Sequence, residues 1–578
     1  MHKKPKKWIP AVIACTLILV ICVVSGLGYI RERYSPSQER ADLKEMYRIT
    51  AADDVAVMVD DLMIETRAVL REGEAYLPYA YVQESLNKRV YVDEREHLLL
   101  YALPDQVVEI PEDMTLSQWD PAMDQQGKVW FTDEENAVIY ISVSFLGCYT
   151  DLDFTVYTEP GRLYIDMPAG ILQMAVVEED SQIRKLGGIK SPIVADVAAG
   201  TGVVILDAME EWSQVRTEDG WIGYIQNKQL TDYSAYEKES DFVEPVYTNI
   251  SKEYEICLVW HQVFSQSGNE DLEDMLSDAA GVNTISPTWF SLSDNEGNFT
   301  SLASTDYVDK AHAMGLEVWG LVDNFSPDMS TYELLSRTST RRNLIQNLLD
   351  AALEYDLDGI NIDFEGMKSE TGPHFVQFIR ELSIVCRQYG LVLSIDNYVP
   401  SGGTKYYDRA EQAAVADYVI VMGYDEHWST SDAGSTASLP FVRKGIEDTL
   451  LEVPQDKLIN ALPFYTRVWE FDADAEIADG ADPLDVEYVV SSTAVGMSKA
   501  MRLLTDHEAE LVWDDETGQY YGEYEEEGSL YRIWLEDAES LRAKLNATAE
   551  YDLAGIAFWK LGLESDEAWE EVEAYMDR

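Results

Sequence analysis

Asp358-Gly359-Ile360-Asn361-Ile362-Asp363-Phe364-Glu365 is the stretch of this chain best equipped to do chemistry. Ile360, Ile362 and Phe364 alternate with Asn361, Asp363 and Glu365. In a strand, successive side chains point to opposite faces, so the apolar set faces one way and the amide with two carboxylates faces the other. Acidic groups on one face of such a strand make it a catalytic candidate. The alternative is a strand end whose acids cap the next helix.

The flanks decide what such a strand must be. Helical patterns at 343–355 and 374–389 enclose it, which makes it one unit of a β-α-β repeat, and strands in such repeats are buried on both faces. Buried acids are costly unless paired and used. The same alternation runs from about residue 254 to the end. Strands are expected at 256–260, 284–290, 317–322, 359–365, 392–397, 418–423, 458–463 and 555–559, with helices between them. Eight such units predict a TIM barrel, with catalytic residues at the carboxyl ends of the strands. A small α+β insertion is expected after the seventh strand, at about 467–534. Glu365 then closes the fourth strand, Met422-Gly423-Tyr424-Asp425 the sixth, and Trp559 the eighth. Trp260, Trp289 and Tyr398 also fall near strand ends, where they either stack on a ligand or fill the core. His427 has no partner at metal-ligand spacing and reads as a rim hydrogen-bonder.

These elements together resemble glycoside hydrolase family 18, the chitinase-like enzymes. The stretch 358–365 is similar to the family's DxxDxDxE signature, with Asn361 where most members carry the middle Asp. Tyr424-Asp425-Glu426-His427-Trp428 and Trp534-Leu535-Glu536-Asp537-Ala538 resemble the spore-germination, cortex-lytic branch, which acts on N-acetylglucosamine linkages of peptidoglycan. The resemblance implies that Glu365 is the general acid. It implies that Asp363 steers the substrate's N-acetyl group, whose carbonyl oxygen attacks the anomeric carbon in place of an enzyme nucleophile. Tyr424 would hydrogen-bond that carbonyl, Trp559 would floor the sugar site, and Asp425 would orient the acetamide or a hydroxyl. Asn361 is expected to contact substrate or to donate to Asp363, and a nearby anion such as Asp363 to keep Glu365 protonated. No cofactor and no metal is expected.

The rest of the chain is organised around delivery. The 578 residues carry a formal charge of −63, which argues against nucleic acid as a partner. The five cysteines (Cys15, Cys22, Cys148, Cys257, Cys386) form no disulfide framework or metal spacing. Lysines at 3, 4, 6 and 7 precede an uncharged run from 8 to 30, long enough for a membrane span. The positive-inside rule puts the N-terminus in the cytoplasm and the rest outside. A cleaved signal peptide is the alternative. The expected order is a basic tail and transmembrane anchor (1–34), a stalk (35–61), an α+β module (62–182), an SH3-like β-barrel (183–232), a linker (233–252) and the α/β barrel (253–578). Residues 62–182, with Gly73-Glu74-Ala75-Tyr76-Leu77-Pro78, resemble the copper amine oxidase N-terminal-like domain, without implying copper. Residues 183–232, with Trp212, the Asp219-Gly220 turn and Trp221, resemble a bacterial SH3-like domain, a class that often holds cell-wall peptides. The expected partner is peptidoglycan or a chitin-like glycan, cleaved by a membrane-anchored extracytoplasmic glycosidase. A non-catalytic glycan-binding or wall-tethering protein on the same fold is the alternative.

Overall fold

The computed structural model describes residues 9–123, 125–167, 170–472 and 489–578. The chain forms two compact units, one of residues up to Val90 with Ile110–Glu244, the other of Tyr91–Glu109 with Pro245–Arg578.

The first unit begins with the helix Ile9–Tyr34. Among the described residues it alone is long and apolar enough to cross a membrane. Its side chains find no core: Leu17, Leu19, Val24 and Leu27 are all well exposed. Two seven-stranded sheets follow. Residues 35–61, expected as a stalk, carry the helix Leu43–Met46 and the strand Asp54–Val59, which pairs with Gly161–Asp166 and Leu62–Arg71 inside the first sheet. Burial drives this: Val55, Ala56 and Val57 are almost wholly enclosed. The second sheet contains the expected strands Ile193–Val197, Gly202–Ala208, Trp212–Thr217 and Ile222–Gln226. It also takes in Gly170–Val177, which pairs with Gly202–Ala208 and Leu230–Lys238. The Asp219-Gly220 turn has Gly220 at φ +68, and a Cβ there would meet the Tyr157 ring at 2.4 Å, so only glycine fits.

The second unit is a closed barrel of eight parallel strands. In chain order they are Ile256–His261, Thr284–Leu292, Glu317–Asp323, Gly359–Asp363, Val392–Tyr398, Tyr418–Met422, Leu458–Pro463 and Gly555–Trp559. The first and last strands pair in parallel, and so do the first and second, which closes the ring. All eight expected strands are present. Their near-continuous burial, as in Ile256–His261 and Tyr418–Met422, follows from having side chains of the interior on one face and helices on the other. Leu258, Trp319, Leu321, Ile420, Ile459 and Ala557 fill the interior. The outer helices start where serine hydroxyls take up free amides: Ser304, Ser330 and Ser438 accept from Tyr307, Glu333 and Phe441. The insertion is a five-stranded sheet, which includes Tyr465–Asp472, Gln519–Glu526 and Ser529–Leu535, with the helix Met497–Asp506 packed on it.

Tyr91–Glu109 is the body of a three-stranded meander and belongs to this unit, although its sequence lies among residues expected for the α+β module. Asp93 accepts from the Thr338 amide and hydroxyl, each at 2.6 Å, at the start of the helix Thr338–Tyr355. Arg95 pairs with Glu333, and the Tyr91 hydroxyl lies 2.6 Å from His374 Nδ1.

Candidate active site

The barrel brings its carboxylates to one end. The fourth strand stops at Asp363, two residues short of the expected end, and Glu365 stands in the turn that follows. That turn is held from both sides by Asn324: its Oδ1 accepts from the Glu365 amide at 2.8 Å, and its Nδ2 donates to the Glu365 carbonyl at 2.9 Å. Asp323, the last residue of the third strand, is in register with Asp363. On the fifth strand Ile395 is in register with Ile362, so Asp396 lies beside Asp363. Three aspartates therefore stand side by side on neighbouring strands, with Glu365 just above. They line a cleft of about 480 Å³ together with Tyr398, Tyr424, Asp425, Trp260, Trp289 and Trp559.

Burial sets the charge states. It pushes Asp363 well above the usual carboxylate range, and the charges of Asp396, Glu365 and Asp323 add to the shift. Among the described residues, no N–H or O–H reaches Asp363 Oδ1. Asp396 is also pushed well up by burial, against the opposing hydrogen bond from Asn361. Burial raises Glu365 too, the Tyr398 hydroxyl opposes, and the charge of Asp425 adds to the rise. Tyr424 stays a neutral phenol, held well above its ordinary value by burial and then by Tyr465 and the carboxylates.

Each expected residue has a definite place. Glu365, Asp363 and Tyr424 meet in the cleft. Asp425 sits at its rim with φ +57, accepts from the Tyr465 hydroxyl at 2.6 Å and lies 3.9 Å from Arg467. Trp559 is half-buried and tilts against Trp260 with ring centroids 5.8 Å apart. Trp260 and Trp289 show only 1% of their surface and donate their Nε1 hydrogens to Asn361 and Asn269. They are walls of the cleft more than platforms in it.

One expectation is corrected. Asn361 is wholly buried and touches neither the cleft nor Asp363. Its Oδ1 accepts from Trp260 Nε1 at 2.9 Å and Ser286 at 3.1 Å, and its Nδ2 donates to Asp396 at 2.8 Å and Ser394 at 3.0 Å. An indole N–H is only a donor, so the atom facing Trp260 must be the carbonyl oxygen and the NH₂ must face Asp396. Tyr398, expected to stack on a ligand or fill the core, lines the cleft, and its hydroxyl donates to Glu365 Oε2 at 2.6 Å, a contact the sequence did not indicate. Asp323, Asn324, Asp396 and Tyr465 were not foreseen. Asp323 and Asp396 are acids on expected strands, but no local pattern tells which residue of the neighbouring strand stands beside them.

The sequence pattern of the glycosyl hydrolases family 18 matches residues 271–564, just over half of the chain. The chain belongs to this family. The match spans seven of the eight barrel strands and the insertion. A Bacillus subtilis protein assigned as a sporulation-specific glycosylase is 26% identical over 302 residues, 51% of this chain and 63% of that protein. The cortical fragment-lytic enzyme of Bacillus subtilis is 26% identical over 243 residues, 41% of this chain and 54% of that enzyme. The alignments thus span a little over half the length of these two relatives. Among solved structures, the C-terminal domain of a Desulfitobacterium hafniense protein assigned as a chitinase superposes with a TM-score of 0.50 at 21% identity, covering 56% of this chain and 99% of that domain. That likeness concerns the fold.

Proposed function

We propose that this chain is an anchored extracytoplasmic glycosidase that hydrolyses β-linked N-acetylglucosamine glycans, peptidoglycan ahead of chitin, by substrate-assisted catalysis with retention. The observation that carries this reading is the meeting of a half-buried Glu365, whose pKa burial raises, with Asp363 and Tyr424 in one cleft. Glu365 gives its proton to the glycosidic oxygen. The substrate's acetamido carbonyl attacks the anomeric carbon, while the phenol of Tyr424 donates to that carbonyl oxygen. Asp363 accepts from the acetamide N–H and offsets the positive charge that develops on it. After the leaving group departs, Glu365, now a carboxylate, takes a proton from water, which opens the cyclic intermediate and restores the acid. Trp559, with Trp260 behind it, gives the sugar an apolar floor.

Peptidoglycan is preferred because a relative is by its name lytic for cortical fragments, and because the apolar helix Ile9–Tyr34 would hold the enzyme at a membrane facing the wall. The modules of the first unit, read as a copper amine oxidase N-terminal-like domain and an SH3-like domain, would sit on the same side. Purified peptidoglycan digested by the wild type and by Glu365→Gln tests the reading. Reducing N-acetylglucosamine ends should appear with the wild type and fall by about 10²- to 10⁴-fold with the variant. Binding without cleavage by both proteins would mean a wall-tethering role instead.

A further inference from the structure

Asn361 removes the neighbouring carboxyl that most chains with this signature place beside Asp363, yet the site does not lack a second acid. Asp396 on the next strand stands next to Asp363, lines the same cleft, and is held there by Asn361 Nδ2 at 2.8 Å. We propose that Asp396 is a positioning residue for the reaction: Asp363 and Asp396 hold one proton between them, so the second carboxyl of the site has moved from the fourth strand to the fifth. The inference rests on the substrate-assisted reading above.

Four observations carry it. Two carboxylates side by side, each nearly buried, cannot both ionise at neutral pH without a cation, and among the described residues the groups facing them supply none: Asp323 from the third strand, Glu365 from the fourth, Tyr398 from the fifth, Tyr424 and Asp425 from the sixth, and Tyr465 from the insertion. Among the described residues no N–H or O–H donor reaches Asp363 Oδ1, so it is open to a proton carried by a neighbouring carboxyl. Asp323 is a weaker partner, since its Oδ1 already accepts from Ser291 at 2.8 Å and from the Phe325 amide at 3.1 Å. Asn361 is locked by Trp260 and Ser286 so that it can only donate toward the fifth strand, which fixes Asp396 in place.

The proton has a defined path. Before substrate binds, it lies between the two acids and the pair carries one negative charge. When the acetamide N–H donates to Asp363, the proton passes wholly to Asp396: the bond to Asp363 oxygen breaks, the bond to Asp396 oxygen forms, and the charge of the pair is unchanged. Asp363 then faces the developing cation as a full carboxylate. When product leaves, the proton returns.

The test counts charge first. Difference potentiometric titration at pH 7 should find Asp396→Asn and Asp363→Asn each with the net charge of the wild type, and the double variant one charge less negative. Both single variants one charge less negative would mean two independent carboxylates, and Asp363→Asn alone less negative would mean a neutral Asp396 that shares nothing. Either result overturns the proposal. This readout needs no turnover, so it stands even if the wild type cleaves no N-acetylglucosamine glycan, an outcome that would sink only the proposed function.

Kinetics supply the second arm, on a chromogenic β-linked N-acetylglucosamine oligosaccharide. Asp396→Asn should lower kcat at least tenfold and move the pH–rate profile, with KM little changed. The swap Asn361→Asp with Asp396→Asn should recover activity to within a few-fold. A swap no better than the single variant, or a single variant with the wild-type profile, refutes the idea. If Asp396→Asn does not fold, the swap must match the wild type in charge and profile, and a mismatch refutes the idea equally.

Discussion

The Tyr398 hydroxyl donates to Glu365 Oε2 at 2.6 Å and accepts from the Gly366 amide at 3.2 Å, which clamps the acid in the turn after the fourth strand. The bond favours the charged form of Glu365, against the burial that favours the neutral one. Tyr398→Phe removes that opposition, so the Glu365 pKa rises further. A general acid works only while protonated. The basic limb of kcat/KM should therefore move to higher pH, while kcat at the optimum falls by about 10- to 100-fold because the carboxyl is no longer oriented. A pH–rate profile of the variant checks both. An unmoved basic limb would show that another group limits the rate.

Asn361 uses all four of its hydrogen-bonding positions inside a fully enclosed site. Asn361→Ala strands the Trp260 N–H and deprives Ser286, Ser394 and Asp396 of a partner. Each buried group so stranded costs about 1–3 kcal/mol, and partial relaxation brings the sum to about 3–4 kcal/mol. Urea unfolding, followed by tryptophan fluorescence, should show the loss. A change below about 1 kcal/mol would mean that water replaces the amide.

What the sequence made legible followed from local pattern. Each barrel strand is a short apolar run between helical stretches, and the residues ending the fourth, sixth and eighth strands could be placed without knowing the register. Asp396 and Asp323 could not, because their relevance depends on which residue of the neighbouring strand lies alongside, and register is a property of the closed ring. The direction of the Asn361 amide was missed for the same reason: Trp260, which fixes it, is 101 residues away. The membership of Tyr91–Glu109 was missed because nothing local distinguishes a strand that pairs at home from one that packs on distant helices.

That meander also makes a prediction. Asp93 and Glu96 supply carboxylates to the amides of Thr338 and Ser339, the first residues of the helix Thr338–Tyr355, where free N–H groups and the helix dipole favour anions. Asp93→Ala should cost about 1–2 kcal/mol, in line with other lost helix caps. Residues 253–578 produced alone should melt below the full-length chain, since they also lose the Arg95–Glu333 pair and the Tyr91–His374 contact. Calorimetry on the three proteins measures this. Equal melting of the barrel transition in all of them would show that the meander adds nothing.

His374 extends the same contact to pH. Burial pushes it down to about 4, with the nearby Arg341 charge acting in the same direction. Its ring stays neutral in the folded chain at pH values where the unfolded chain, with an ordinary value near 6.5, takes up a proton. The unfolded state therefore binds more protons between about pH 6.5 and 4, and stability must fall as pH falls through that window, then level off below it. The size is at most on the order of 3 kcal/mol, because each tenfold change in proton affinity is worth about 1.4 kcal/mol. His374→Gln keeps a polar partner for Tyr91 and does not titrate. Chemical unfolding at a series of pH values should give the variant a flatter acid slope than the wild type across this window. Parallel slopes would mean that His374 protonates in the folded chain as readily as in the unfolded one.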